Sequence, residues 1–408
     1  MEEWKTYTLG ELSVDGKGSY GIGAPAVEYS PDKYTYLRIT DINDDGTLAA
    51  SDRKSVDAEG AENYILKEND IVFARTGNST GRAYFYDSRD GELVYAGFLI
   101  KFSLDPNKVN PKILKYYTHS KPYYDWVRSF DSGATRGNIN AQTFASMPIE
   151  LPSRTTQDRI VDIMSAIDDK IRNNNRINHN LEQQAQALYK SWFVDFEPFK
   201  GGKFVDSELG MIPEGWSVQK AEELCEINIG KTPPRKEHHW FSNNNSDVTW
   251  ISISDMGSSE VYISKSSEML TKEACKKFNV IIVPEGTVLL SFKLTVGRVS
   301  IAAKELTTNE AIARFLVPTD AMRSYLYLAL KSYDYSKLGS TSSIATAVNS
   351  KIIKKMALIC PPEDIIEKFG VHVSGIFRSI KTFQEEISCL CEQRDSLLPR
   401  LMSGEITC

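Results

Sequence analysis

The chain has 408 residues, of which 41% are hydrophobic, 10% aromatic and 25% charged, with a formal net charge of −6. That length and apolar content suit two or three domains with cores of their own, and no run of about 18 apolar residues is present to span a membrane. The charged start Met1-Glu2-Glu3-Trp4-Lys5, six cysteines without a CxxC pair and five histidines without zinc spacing lead us to expect no signal peptide, no metal and free thiols in a cytoplasmic setting.

Charge is spread unevenly. Residues 1–150 carry 17 basic and 22 acidic side chains, whereas residues 207–360 carry 18 basic and 16 acidic. Any surface facing DNA must therefore be local.

In chain order, Tyr34–Ile39 reads as a strand from its alternation and β-branched content, and Asp70–Ala74 with Arg82–Tyr86 as a hairpin. The polar connection Arg75-Thr76-Gly77-Asn78-Ser79-Thr80-Gly81-Arg82 joins that hairpin. A helical stretch covers Pro111–Phe130, and a second polar loop, Ser132-Gly133-Ala134-Thr135-Arg136-Gly137-Asn138, follows it.

From Ser153 to Glu197 there is no Gly or Pro, and every third or fourth residue from Ile160 is Ile160, Met164, Ile167, Ile171, Asn174, Asn178, Leu181, Ala185, Leu188 and Trp192. This 3.5-residue spacing predicts a coiled-coil seam. Asn174 and Asn178 fall in mid-seam, where a buried Asn fixes register or a locally hydrated seam accommodates it.

Residues 198–213 read as a linker. The second half repeats the first. Val248–Ile253 is a strand, Thr287–Ser291 with Arg298–Ala302 a hairpin joined by Phe292-Lys293-Leu294-Thr295-Val296-Gly297-Arg298, and Ala321–Tyr335 a helix. Ser340-Thr341-Ser342-Ser343 is the counterpart of the second polar loop. A last helix carries Phe369, Val373, Ile376, Ile380, Phe383, Ile387, Leu390, Arg394, Leu397 and Leu401 at seam positions, each 209 residues after its counterpart. Thr155-Thr156-Gln157-Asp158 and Asp364-Ile365-Ile366-Glu367 open the two helices with a capping residue three before an acid. Matched length and phase imply that the seams pair with each other. The spacing leaves parallel and antiparallel pairing open.

The boundaries are thus 1–152 for a first globular domain, 153–197 for the first long helix, 198–213 for the linker, 214–361 for a second globular domain and 362–408 for the last helix. A unit of this length used twice is a duplication, not a solenoid.

Catalytic patterns are few. Gly77–Arg82 lacks the spacing and the Lys-Ser/Thr of a phosphate loop, and neither Pro-Pro pair (Thr232-Pro233-Pro234-Arg235, Cys360-Pro361-Pro362-Glu363) belongs to an Asn/Asp-Pro-Pro-aromatic tetrapeptide. Asp168-Asp169-Lys170 resembles a nuclease D-x-K, but lies between seam positions Ile167 and Ile171 and is expected on a solvated helix face. The polar loops offer the chemistry of DNA reading. Arg and Asn match guanine and adenine edges, and Ser and Thr bind phosphates. The candidate contacts are Arg75, Thr76, Asn78, Ser79, Arg82, Arg136 and Asn138 in the first half, and Lys231, Arg235, Lys293, Arg298, Ser342 and Ser343 in the second. Any one such loop alone would be read as a solvated turn; recurrence at equivalent places favours a shared role.

Three stretches carry a resemblance. Leu188-Tyr189-Lys190-Ser191-Trp192-Phe193-Val194-Asp195-Phe196-Glu197-Pro198-Phe199 resembles the end of the central conserved region of type I restriction–modification specificity subunits. Ser207-Glu208-Leu209-Gly210-Met211-Ile212-Pro213-Glu214-Gly215-Trp216 is similar to the entry of their second target recognition domain, and Arg394–Ile406 to their C-terminal signature. The resemblance implies an α+β fold: two tandem target recognition domains, each mixed α/β with a curved sheet, separated by two long helices in an antiparallel intramolecular coiled coil. It implies a non-catalytic DNA-specificity subunit in which each domain reads half of an asymmetric gapped site and the helices set the gap. The partners implied are double-stranded DNA, two modification subunits and, through them, restriction subunits. No cofactor is expected in this chain: S-adenosylmethionine belongs to the modification subunit, and ATP and Mg to the restriction subunit. The alternatives are a coiled-coil scaffold with two protein-binding heads and a self-sufficient DNA-modifying enzyme.

Overall fold

A computed structural model describes residues 4–49, 52–130, 137–258, 260–338 and 348–406. The strand Asp70–Ala74 is buried along its whole length. Successive strand side chains point to opposite faces, so Ile71 and Phe73 enter one core and Val72 and Ala74 another. The counterpart Val288–Ser291 does the same, with Val288 and Leu290 on one side and Leu289 on the other. A strand buried on both faces reads as a continuous apolar run, which is why both were legible as sequence.

The chain divides into two units, Met1–Ile171 with Cys389–Cys408, and Arg172–Ser388. Each long helix gives one part of itself to each unit. In the first unit, a four-stranded sheet runs Ser19–Tyr20, Leu99–Ser103, Asp70–Ala74, Ala83–Phe85, and a second runs Ala26–Glu28, Lys54–Val56, Tyr34–Leu37, Leu93–Tyr95. In the second unit, the order is Glu226–Ile229, Ile312–Leu316, Val288–Ser291, Val299–Ala302, Tyr262–Ile263, beside a sheet of Phe241–Ser242, Met269–Leu270, Val248–Ile251, Thr307–Thr308. Both secondary sheets contain one parallel pair, Thr35 opposite Leu93 and Trp250 opposite Thr307. Both units are closed by an antiparallel ribbon, Lys5–Thr8 with Pro148–Leu151 and Ser217–Lys220 with Ala357–Cys360. The duplication seen in sequence is thus a duplication of topology.

Gly21 and Gly230 end equivalent strands. A Cβ on Gly21 would lie 2.3 Å from the Ala96 carbonyl oxygen, and one on Gly230 2.0 Å from that of Asn309. Only glycine allows the backbones to approach so closely.

The stretch expected as one helix over Pro111–Phe130 is two, Ile113–Tyr117 and Lys121–Arg128. Ser120 takes extended backbone as the N-cap of the second piece, which breaks the run, and Pro122 fits the first turn, where its missing N–H is not needed.

The long helices are Arg154–Phe193 and Glu363–Met402, 40 residues each, or about 60 Å at 1.5 Å per residue. Within the first unit, Ile160 and Met164 from the start of one share a core with Leu398, Leu401 and Met402 from the end of the other. Within the second unit, Trp192 near the end of the first helix packs against Phe369 near the start of the second, at 5.6 Å between ring centres. Asn174 lies opposite Glu386 there. The pairing is antiparallel in both units.

Of the seam residues, Ile160, Met164, Phe369, Val373, Ile380 and Leu401 are buried, while Ile167, Ile171, Leu181, Leu188, Trp192, Ile376, Phe383, Ile387, Leu390 and Leu397 are half-buried. A two-stranded seam shields itself incompletely, and its fully buried positions belong to the cores of the globular parts. Tyr189, Phe193 and Phe377, off the predicted seam, are also buried in the second unit's core.

Asp168 corrects the expectation of a solvated face. Its carboxylate is only 17% exposed, accepts from Lys115 and from the Tyr116 hydroxyl at 3.1 Å, and lies 3.8 Å from Arg394. It ties the globular part to both helices.

Candidate nucleic-acid interface

In the first unit, the two polar loops meet. Gly77 and Gly81 take φ of 77° and 85°, conformations that favour glycine, and turn the chain between the two strands. The Thr80 hydroxyl then donates to the carbonyl oxygens of Gly77 at 2.8 Å and Gly137 at 3.1 Å, and the Ile139 amide donates to the Arg75 carbonyl at 3.0 Å. Phe98 joins the same cluster by accepting from the Arg75 amide at 3.1 Å.

The Arg75 guanidinium lies 5.2 Å over the Tyr20 ring, and its Nε has no protein partner. That Nε is itself covered, and the half-buried side chain presents a ring-held cation beside the loop cluster. Asn78 and Asn138 are exposed on either side, and Thr76 is half-buried. Arg136 lies outside the described residues.

Two expected contacts are oriented otherwise. Ser79 is 7% exposed and packed inward at the turn. Arg82 donates to Asp44 at 2.7 Å and to the Ile42 carbonyl at 3.0 Å, so its fork is occupied by its own domain. Arg298 repeats the device in the second unit, donating to the Ile253 carbonyl at 2.7 Å with Gly257 beneath it. The paired Gly-Arg of the repeat therefore fastens the loop after the strand Tyr34–Leu37 or Val248–Ile251.

The hairpin tip Phe292–Gly297 is stapled by Ser291, whose hydroxyl donates to the Thr295 carbonyl at 2.6 Å and accepts from the Arg298 amide at 3.0 Å. Lys293 is exposed at that tip. Next to it Leu294 is fully exposed with φ 59°, a left-handed conformation that disfavours Leu. Hydrophobicity alone would have put Leu294 inside, so sequence reading missed it. Ser342 and Ser343 lie outside the described residues.

Lys231 and Arg235 sit elsewhere on the second unit. The Lys231 ammonium donates to the Phe278 carbonyl at 2.6 Å. Arg235 lies 4.4 Å over Phe241 and 4.6 Å over Trp250, and pairs with Glu268 at 2.6 Å. The structure thus separates the second-half candidates into a hairpin tip and a cation-bearing aromatic surface.

With two copies of one fold, each ending in a different polar loop cluster, the comparisons become decisive. The profile of the type I restriction modification DNA specificity domain matches residues 1–183 and again residues 213–387. The chain belongs to this family of DNA-specificity subunits. Among its relatives, the HindI specificity subunit of Haemophilus influenzae is 27% identical over 474 aligned positions, covering 100% of both chains. The MjaIX specificity subunit of Methanocaldococcus jannaschii is 27% identical over 305 positions, 72% of this chain and 68% of that one. The crystal structure of the type I restriction-modification S subunit from M. genitalium superposes with a TM-score of 0.55 at 14% identity, covering 98% of this chain and 96% of that one, and shares the fold. The tandem α+β architecture with two long helices is that of the family's specificity subunits.

Proposed function

We propose that this family member gives a type I restriction–modification complex its DNA sequence preference without catalysing a reaction itself. Each globular domain reads one half of a bipartite, asymmetric site, and the paired helices set the gap between halves. Two modification subunits dock on the helices and nearby surfaces, bind S-adenosylmethionine and methylate adenine. Restriction subunits, with ATP and Mg, join through them. The observation that carries this reading is the repeated topology with unlike loops: Arg75 over Tyr20 in one domain, Leu294 and Lys293 at the hairpin tip in the other. Unlike loops on like scaffolds suit an asymmetric sequence.

The test is reconstitution of the full chain with its modification subunits and S-adenosylmethionine, followed by mapping of methylated adenines on random duplex DNA. A gapped, two-part motif is expected; methylation without one removes the reading, and turnover by the chain alone would make it an enzyme. The ruler is tested by inserting one heptad after Ile171 and another after Ser388. Each adds about 10 Å of helix, so the gap grows by about three base-pair steps of about 3.4 Å with both half-sites unchanged. Deleting residues 165–185 instead would remove Asp168 and Glu182, each bonded to its own globular domain.

A further inference from the structure

The second unit carries a small aromatic core whose edge is lined with cations. Trp240 stacks edge-to-face on Phe278 at 5.4 Å, and Phe241 on Trp250 at 5.5 Å. Lys277 lies 4.3 Å over Trp240, Arg235 covers Phe241 and Trp250, and Lys231 reaches the Phe278 carbonyl. Lys236 follows Arg235 on the same exposed turn. The rings and the Phe278 carbonyl hold the cationic heads themselves along this exposed edge. Among the described residues, Lys236 and Lys277 have no ion-pair partner; Glu268 takes Arg235.

The equivalent region of the first unit has the opposite electrostatics. Residues 22–66 contain nine acidic and four basic side chains, against six acidic and seven basic in residues 231–283. Three of its four cations are also neutralised internally, Lys33 by Asp57 at 2.6 Å, Arg38 by Asp41 at 2.6 Å and Lys54 by Glu28 at 2.9 Å.

We propose that the aromatic-backed cation face of the second unit, built on Lys231, Arg235, Lys236 and Lys277, grips the phosphodiester backbone of duplex DNA beside that unit's half-site. Among the described residues, the equivalent region of the first unit, 22–66, lacks such a grip, so the two regions hold phosphate unequally. This deepens the specificity reading and rests on it. Phosphate contacts position a protein and carry no sequence information, whereas base contacts specify. The face therefore governs affinity and salt dependence, and the loop clusters govern discrimination.

The experiment uses the full chain assembled with its modification subunits, a duplex bearing its methylated motif and an unrelated duplex of equal length, with binding measured over a range of salt. For the double variant Lys236→Gln/Lys277→Gln, affinity for both duplexes should fall in parallel, and the slope of log K against log salt should become shallower by about 1.8, or about 0.9 per lost phosphate contact. Lys33→Gln in the first unit should leave the slope unchanged. An unaltered slope in the double variant overturns the proposal. So does a loss confined to the motif duplex, which would make these lysines base readers, and so does an equal change from Lys33→Gln. If the unmodified complex prefers no sequence, the specificity reading falls. The slope on the unrelated duplex still decides whether this face binds phosphate.

Discussion

The Tyr327 hydroxyl donates to the Glu182 carboxylate at 2.7 Å, with the Lys331 ammonium 3.2 Å from the same oxygen. The first unit builds the same contact from Tyr116, Lys115 and Asp168. In each, a Tyr and a Lys of a globular helix clasp one acid of the first long helix. Because Tyr327 is fully buried and Glu182 only 13% exposed, Tyr327→Phe should destabilise this attachment by about 2 kcal/mol, the scale of a hydrogen bond to a charged group. Amide exchange should quicken in Asp320–Lys331 and remain unchanged in Ile113–Tyr117. Uniform exchange across both helices would show that the clasp is not local.

Arg75 and Arg298 should separate reading from fastening. Arg75→Ala should relax discrimination at one base pair of one half-site by about 1–3 kcal/mol with stability little changed. Arg298→Ala strips a donor from the Ile253 carbonyl, so it should lower the melting temperature of the chain. Competition binding with single-base variants of the site, beside thermal melts, checks both. A pure loss of stability in Arg75→Ala would assign that residue to structure as well.

His119 gives a pH dependence with a definite sign. Burial, the largest influence, holds its pKa below 6.5, with Arg394 and Lys115 acting in the same direction and Asp45 and Asp168 opposing. Its ring faces Tyr124 at 3.3 Å and packs over Gly46. The unfolded chain therefore binds this proton more readily than the folded one. Stability from this residue is complete above the ordinary histidine pKa and is lost as pH falls from there through the lower folded-state pKa. The native chain should lose more thermal stability between about pH 7 and about pH 5.5 than His119→Asn does, the interval bracketing that pKa. Parallel melting curves would show that His119 stays neutral or charged in both states alike.

Asn178 lies on the inner face of the long helix with neither amide atom meeting a protein partner, while Asn174 donates to Glu386 at 2.8 Å. An unmet buried amide costs about 1–3 kcal/mol. Asn178→Leu should raise the denaturant midpoint by an equivalent of about 1–2 kcal/mol, whereas Asn174→Leu, which removes one donor from the Glu386 carboxylate, should lower it. The opposite order would show that Asn178, not Asn174, sets the register.

The sequence by itself determined the duplication, the two long helices and the strands at the centre of each sheet. These follow from periods of 2 and about 3.5 residues, which depend on near neighbours along the chain. It also carried the family resemblance, in stretches around Trp192, Trp216 and Leu401. Tertiary structure alone decided what the polar side chains do. Arg82 and Arg298 read as free hairpin arginines, yet each is spent on a carbonyl about 40 residues away, at Ile42 and Ile253. Asp168 read as a solvated helix residue until Lys115 and Tyr116 were placed against it. Arg314, in the strand Ile312–Leu316, whose first four residues are buried, is 1% exposed and donates to the carbonyls of Ile229 and Ile281, both at 2.8 Å. Periodicity assigns a face to a residue. Whether a cation on that face meets solvent, a carbonyl or a carboxylate depends on which distant backbone folds over it.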